Sequence, residues 1–227
     1  MRLGNGQIIF RRSEIIFSFI LKNMHDEILT ETQHNQIPLL KKFSRSFGLV
    51  GGTAVALHIG HRRSIDFDLF SQEPFTTANI TRAISDFSVI DKVLVKKSRE
   101  YTLIVHGVKW TFFHFPHELP FVDRFRNVIK IPDLLTLAAM KAYALGERAK
   151  WKDYVDMYFI MKSFHSLQEI IDRTNELFGH VFNEKLLRSQ LSYFDDINYA
   201  EGVEFLPGFE VNAKTIKEEL VKFSLEP

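Results

Sequence analysis

Apolar and polar positions along the chain follow two periods, and the switches between them mark out its elements. Residues 13–30 carry Ile16, Phe19, Ile20 and Met24 at helical spacing. Residues 38–47 do the same, with Leu39, Leu40 and Phe43 facing inward and Lys41, Lys42 and Arg45 forming a solvated face. Residues 47–50 are a short apolar run that reads as a strand. Gly51-Gly52 breaks it, and residues 53–59 hold Val55, Ala56 and Leu57 in a helix-forming context. Residues 64–70, SIDFDLF, alternate polar and apolar side chains as a half-buried strand does. A helix over 76–87 follows, then strands over 89–96, 101–106 and 108–115, with His106-Gly107 as a hairpin turn.

Beyond residue 130 only the helical period remains. Pro132 and Asp133 suit the first turn of a helix, and Leu134, Leu137, Ala138 and Lys141 follow at helical spacing as far as Gly146. Further helices are predicted over 150–163, 166–178, 183–194 and 213–223. The helix over 166–178 opens on the capping box Ser166-Leu167-Gln168-Glu169 and stops at Gly179. The expected fold class is α+β: a small mixed sheet flanked by helices over residues 1–130, then a helical portion over 131–227 that completes one cleft. Residues 1–23 read as an extension ahead of Met24.

Composition excludes more than it assigns. Hydrophobic content of 45% with 25% charged residues is ordinary for a globular chain, and the 22 Phe predict aromatic packing. A net charge of +1 does not mark the whole chain as a nucleic-acid binder, although Lys96, Lys97 and Arg99 form a local basic edge. Without cysteine there are no disulfides or thiolate metal sites, and the nine His lack an HExxH-like spacing. No apolar run approaches the roughly 20 residues of a membrane span. The opening MRLGNGQIIFRR lacks a signal layout, so a cytoplasmic protein with no membrane partner is expected.

The chemistry concentrates in residues 47–70, FGLVGGTAVALHIGHRRSIDFDLF. In a strand, Asp66 and Asp68 project to one face while Ile65, Phe67 and Leu69 take the other. Two carboxylates about 7 Å apart repel each other unless a cation neutralises them. Such a pair holds hard divalent ions, Mg²⁺ or Mn²⁺, of the kind that serve in-line nucleotidyl transfer. Gly51 and Gly52 lack Cβ atoms, so backbone amides at the following helix N-terminus can approach a phosphate. Taken alone, either feature also fits a tight turn or an exposed strand edge. Their order of strand, helix and strand at this spacing is far more specific.

GGTAVALHIGHRRSIDFDLF resembles the signature of the AbiEii/AbiGii toxin-type nucleotidyltransferases, within the DNA-polymerase-β-like superfamily, whose pattern is Gly-Gly or Gly-Ser, a short helix and a strand bearing Asp-x-Asp. A second block over 132–160 matches the family's A-x-K-x-x-A, basic residue and R/K-D-x-x-D pattern through Ala139, Lys141, Arg148, Lys152, Asp153 and Asp156. The resemblance implies a polymerase-β-like nucleotidyltransferase core using an NTP, a toxin paired with an antitoxin protein, and an RNA such as a tRNA 3′ end as acceptor. It implies catalytic roles for Asp66, Asp68, Lys141 and Asp156, with Asp66 and Asp68 as metal ligands. It implies nucleotide contacts from Gly51, Gly52, Thr53, Arg62, Ser64, Lys141 and Arg148. Lys141 and Arg148 suit phosphate clamps. Asp153 and Asp156 share one helical face, where they can orient Lys141, position the acceptor or substitute for a missing carboxylate. An ordinary surface ion-pair set is the plainer alternative for Lys152 and Asp153.

One position departs from the family. The third carboxylate is expected on a strand downstream, and in Lys109-Trp110-Thr111-Phe112-Phe113 a threonine takes its place. A neutral hydroxyl replaces a carboxylate poorly as ion ligand or general base. The alternatives to transfer onto RNA are therefore nucleotide binding without transfer, and adenylylation of a partner protein.

Overall fold

In a computed structural model of the protein, residues 24–226 are described. Most of the helix expected over 13–30 lies outside them. Its final residues are not helical as predicted but form a 3₁₀ turn, Asp26–Ile28, before a new helix, α1 (Glu31–Asn35). The reason is local: Thr30 and Gln33 make a reciprocal capping box, which holds Thr30 extended and starts the helix there. Helix α2 (Ile37–Lys42) takes Pro38 into its first turn and ends earlier than expected, so that Phe47 can lead into the sheet.

The signature folds as strand, helix and strand: β1 (Gly48–Val50), α3 (Gly51–Ile59) and β2 (Asp66–Ser71). Helix α4 (Thr77–Ser85) precedes β3 (Lys92–Lys96), β4 (Glu100–Val105) and β5 (Val108–His114). The turn between β4 and β5 places His106 at φ 45° and Gly107 at φ 74°, as a tight two-residue hairpin requires. Two further strands, β6 (Asp123–Phe125) and β7 (Ile129–Ile131), were not expected. Three residues are too few for a period of two to declare itself. Helices α5 (Leu134–Leu145), α6 (Trp151–Ser163), α7 (Leu167–Phe178), α8 (Glu184–Ser192) and α9 (Ala213–Ser224) complete the described chain.

The seven strands form one mixed sheet in the order β3-β4-β5-β2-β1-β7-β6. β2 runs parallel to β5 and β1 parallel to β7, while the remaining pairs are antiparallel. Helix α3 packs on β1 and β2 and is covered by α5 and α6, which is why residues 53–59 are buried all round rather than along one stripe. On the face turned away from the D-x-D carboxylates lie Phe67, Trp110 and Phe112, fully buried and packed with Phe43 at ring-centroid distances of 4.8–6.1 Å. The Trp110 indole N–H donates to Gln36 Oε1 (2.8 Å), whose amide in turn donates to the Val105 carbonyl (2.9 Å), so this polar pair is satisfied inside the core.

A segment over 198–206 returns across the body of the protein. It makes bridges Lys150↔Asn198 and Arg62↔Phe205, and it ties the loop after α3 through Arg63 N–H to Glu204 O (2.9 Å) and Leu206 N–H to His61 O (3.1 Å). Among the described residues, no helix is long and apolar enough to cross a membrane.

Candidate active site

The D-x-D strand lies at the floor of a cleft of about 660 Å³, lined from the sheet by β2, β4 and β5 and from the helical side by α5, α7 and the turn before α6. Register decides what meets what there. Parallel pairing of β2 with β5 sets Asp66 beside Lys109 and Asp68 beside Thr111. Lys109 Nζ is 2.6 Å from Asp66 Oδ2. Burial alone would lower the lysine pKa, but the Asp66 carboxylate outweighs it and holds Lys109 more firmly protonated than usual.

Asp68 is half-buried and titrates above the usual carboxylate range, first because burial disfavours its charge and second because Asp66 repels it. The charges of Lys109 and Lys141 and a hydrogen bond from Thr111 offset this only in part. The carboxylate sits against the glycine loop: a Cβ built on Gly51 would stand 2.3 Å from Asp68 Oδ2, and Gly51 has φ +70°. Gly51→Ala is expected to cost about 1–3 kcal/mol through backbone strain and to displace Asp68. Transfer activity should fall sharply while the protein still folds. Activity equal to wild type, beside a circular-dichroism melt, would show that the close approach does not matter.

Gly51 opens α3, whose N-terminal backbone amides have no side-chain cap, since Val50 occupies the N-cap position. Those donors, with the helix dipole, make an anion-binding end beside the two carboxylates. Gly52 is required here as well, because its Cβ would lie 2.6 Å from Arg62 Nη2. Thr53 is turned inward: it is buried, its hydroxyl bonds the Ser64 hydroxyl (2.8 Å), and it donates to the Asp66 carbonyl. The Thr53 side chain therefore fastens α3 to β2 and is spent on that contact. Ser64 lines the cleft but is itself buried in this contact.

Behind the cleft lies a charge cluster centred on Asp156, which is fully buried and outside the cleft lining. Arg62 grips it through Nε to Oδ1 (2.7 Å) and Nη2 to Oδ2 (2.8 Å), His61 Nε2 reaches Oδ1 (2.8 Å), and Lys141 Nζ reaches Oδ2 (2.8 Å). Burial would raise the Asp156 pKa, but the Arg62 and Lys141 charges and the bonds from His61 and Arg62 hold it well below the usual carboxylate range. His61 is also shifted down, below the ordinary imidazole value, but here because burial outweighs the attraction of Asp156. It is neutral at pH 7 and donates its Nε2 proton. Both Asp156 oxygens are spent, so it acts as a positioning residue through Arg62 and Lys141. As a stand-in for the third carboxylate, or a group meeting the acceptor, it is in the wrong place.

Lys141 is held in the cleft wall by Asp153 and Asp156, and these carboxylates outweigh burial in keeping it charged. Arg148, more than half exposed, approaches Asp153 at 3.5 Å. Sequence reasoning missed Lys109, whose pairing with Asp66 depends on register across strands. It also missed Glu201, which reaches the cleft on the returning segment and holds Lys150 (3.1 Å) and Lys152 (3.2 Å). Burial would raise the Glu201 pKa, but the two lysines bring it down to about 2. No local pattern announces that contact across some fifty residues.

Among the described residues, no three His, Cys, Asp or Glu converge as a self-sufficient metal site. Two carboxylates on one face, one of them short of neutralising charge, suit an ion that completes its coordination with water and substrate phosphate oxygens, as Mg²⁺ does.

A family model for the nucleotidyl transferase AbiEii toxin, type IV TA system, matches residues 40–220. The chain belongs to that family. As an AbiEii-family member it is a nucleotidyltransferase of the toxin–antitoxin kind. An uncharacterized protein of Aquifex aeolicus (strain VF5), aq_aa25, is 30% identical over 160 residues, covering 66% of this chain and 74% of that protein. Two solved structures share the fold. MenT4, nucleotidyltransferase toxin Rv2826c of Mycobacterium tuberculosis H37Rv, superposes with a TM-score of 0.58 at 13% identity, covering 86% of this chain and 80% of MenT4. JHP933 of Helicobacter pylori gives 0.52 at 16% identity, covering 86% and 91%. The AbiEii chain thus has the polymerase-β-like nucleotidyltransferase fold expected from its signature, a mixed sheet flanked by helices.

Proposed function

We propose that the protein moves an NMP from an NTP to an acceptor hydroxyl, with Asp66 and Asp68 holding Mg²⁺ or Mn²⁺. The observation that carries this reading is the approach of Asp68 to Gly51, which brings paired carboxylates and the uncapped N-terminus of α3 to one end of one cleft. When bound, the metal ions would neutralise charge on the transferring phosphoryl group. The chain's own residues do the rest. Amides of Gly52 and Thr53 receive phosphate oxygens, and Lys141 and Arg148 add positive charge from the opposite wall. Lys109 pairs with Asp66 and holds it in place on the cleft floor. In this reading the sheet-bearing part up to residue 130 and the helical part from 131 form two sides of one catalytic unit.

The acceptor we favour is RNA, such as a tRNA 3′ end, with a cognate antitoxin protein restraining the activity. The family membership supports that choice. Thr111 favours a second reading, in which nucleotide is bound without transfer. The deciding experiment incubates each α-labelled NTP with Mg²⁺, cell extract and either wild type or the Asp66→Ala/Asp68→Ala double variant. Label on RNA that disappears in the variant is the expected result. Label on protein would replace RNA with a protein acceptor. Bound but intact nucleotide, with no label moved, would establish the second reading.

A further inference from the structure

The register that sets Asp68 beside Thr111 also sets Phe70 beside Phe113, and Phe113 beside Glu100 on β4. This row lies two residues along the strand from Asp68, about 7 Å away, which is roughly the reach of a ribose between phosphate and base. The Phe70 and Phe113 rings are 5.3 Å apart, and Phe115 extends the surface at 5.2 Å from Phe70. Phe115 meets Phe178 of α7 edge-on at 6.1 Å, and Tyr143 of α5 stacks on Phe178 at 4.4 Å and 12°, so sheet and helices join in one aromatic wall. The end of the cleft beyond the carboxylates is thus walled by aromatic faces, the surface on which a base stacks.

Glu100 is the polar group of that end. It lines the cleft half-buried, and its Oε1 accepts a long hydrogen bond from the Thr102 hydroxyl (3.3 Å). Of the other cleft carboxylates, Asp66 has Lys109, Asp153 has Lys141, and Glu201 has Lys150 and Lys152, while Asp68 lies at the other end beside Gly51 and belongs to the ion site proposed above. Glu147 stands exposed on the rim. Among the described residues no ion pair engages Glu100, so beyond the long bond from Thr102 its acceptor capacity remains open. An ionised carboxylate only accepts hydrogen bonds. It attracts an amino group on a base edge and repels carbonyl oxygens.

We infer that the aromatic end of the cleft is the base subsite and that Glu100 sets its specificity, admitting guanine, adenine or cytosine through their exocyclic amines and disfavouring uracil. This rests on the nucleotidyltransferase reading above, and the test separates the two. Titration calorimetry of the full chain with Mg²⁺ compares GTP, ATP, CTP, UTP and inorganic triphosphate, for wild type and Glu100→Gln. UTP should bind wild type about tenfold more weakly than the other three NTPs, the scale of one hydrogen bond to a charged group. Glu100→Gln, whose amide can donate to a uracil carbonyl, should close that gap and leave triphosphate affinity unchanged.

Equal affinity for all four NTPs in wild type would overturn the inference even if the variant failed to fold. So would a UTP gap that persists in the variant. Triphosphate binding as tightly as every NTP would remove the base subsite but spare the nucleotidyltransferase reading. Failure of triphosphate and every NTP to bind would remove both.

Discussion

Asp156→Ala is expected to cost the protein about 3–5 kcal/mol, a large share of the roughly 5–15 kcal/mol that holds a domain folded. The substitution leaves Arg62 and Lys141 charged, buried and short of the carboxylate that both engage. In a chain of this size that corresponds to a fall in Tm on the order of 10 °C. The pH dependence follows from the sign of the shift. The Asp156 pKa is depressed on folding, so its stabilisation is complete above the ordinary carboxylate range and is lost as pH falls through the folded value. The difference between wild type and variant should therefore be full at pH 7 and narrow on acidification below about pH 5. Denaturant titrations at several pH values check this. A variant within about 1 kcal/mol of wild type at pH 7 would mean that the cluster does not hold the site together.

Asp68→Asn should do the reverse, removing activity while raising the stability of the metal-free protein. Loss of one of the two carboxylates proposed to hold the ions is expected to cost several kcal/mol of transition-state stabilisation, about a thousandfold in rate. Stability moves the other way because the folded-state pKa of Asp68 is raised. A carboxyl that binds its proton more tightly when folded favours the native state at low pH and penalises it as pH rises through that value. Asparagine has no charge to bury and does not repel Asp66, so a gain of about 1 kcal/mol is expected at pH 7 in EDTA. Added Mg²⁺ should shrink or invert the difference, since wild type alone keeps both ligands. Melting curves with and without Mg²⁺ measure both parts, and a variant less stable than wild type in EDTA would contradict an uncompensated carboxylate pair.

Much of this arrangement was legible in the sequence. The alternation in SIDFDLF identified β2 and the shared face of Asp66 and Asp68, and Gly-Gly placed the turn into α3, because strand and helix periods are local properties. What escaped depends on pairing between distant segments. Nothing near Lys109 says that it will lie beside Asp66, and nothing near Glu201 says that it will meet Lys150 and Lys152. Burial escaped for the same reason. Thr53 and Asp156 were in the right patterns to touch substrate, but α3 and α6 turn both side chains inward, where they brace the residues that line the cleft. The three-residue strands β6 and β7 had too little length to show a period.

The returning segment over 198–206 carries a consequence for how the enzyme comes into being. Synthesis runs from the N-terminus, and domains begin folding as they emerge. The carboxylate strand and its glycine turn are made early, whereas the backbone clasps on His61 and Arg63 come from Leu206 and Glu204, Glu204 lying 141 residues after Arg63. A nascent or prematurely terminated polypeptide therefore has the carboxylate strand without the fastening of the loop that carries Arg62. For a toxin, this defers competence until that later segment has been made, an interval in which an inhibitor can find it.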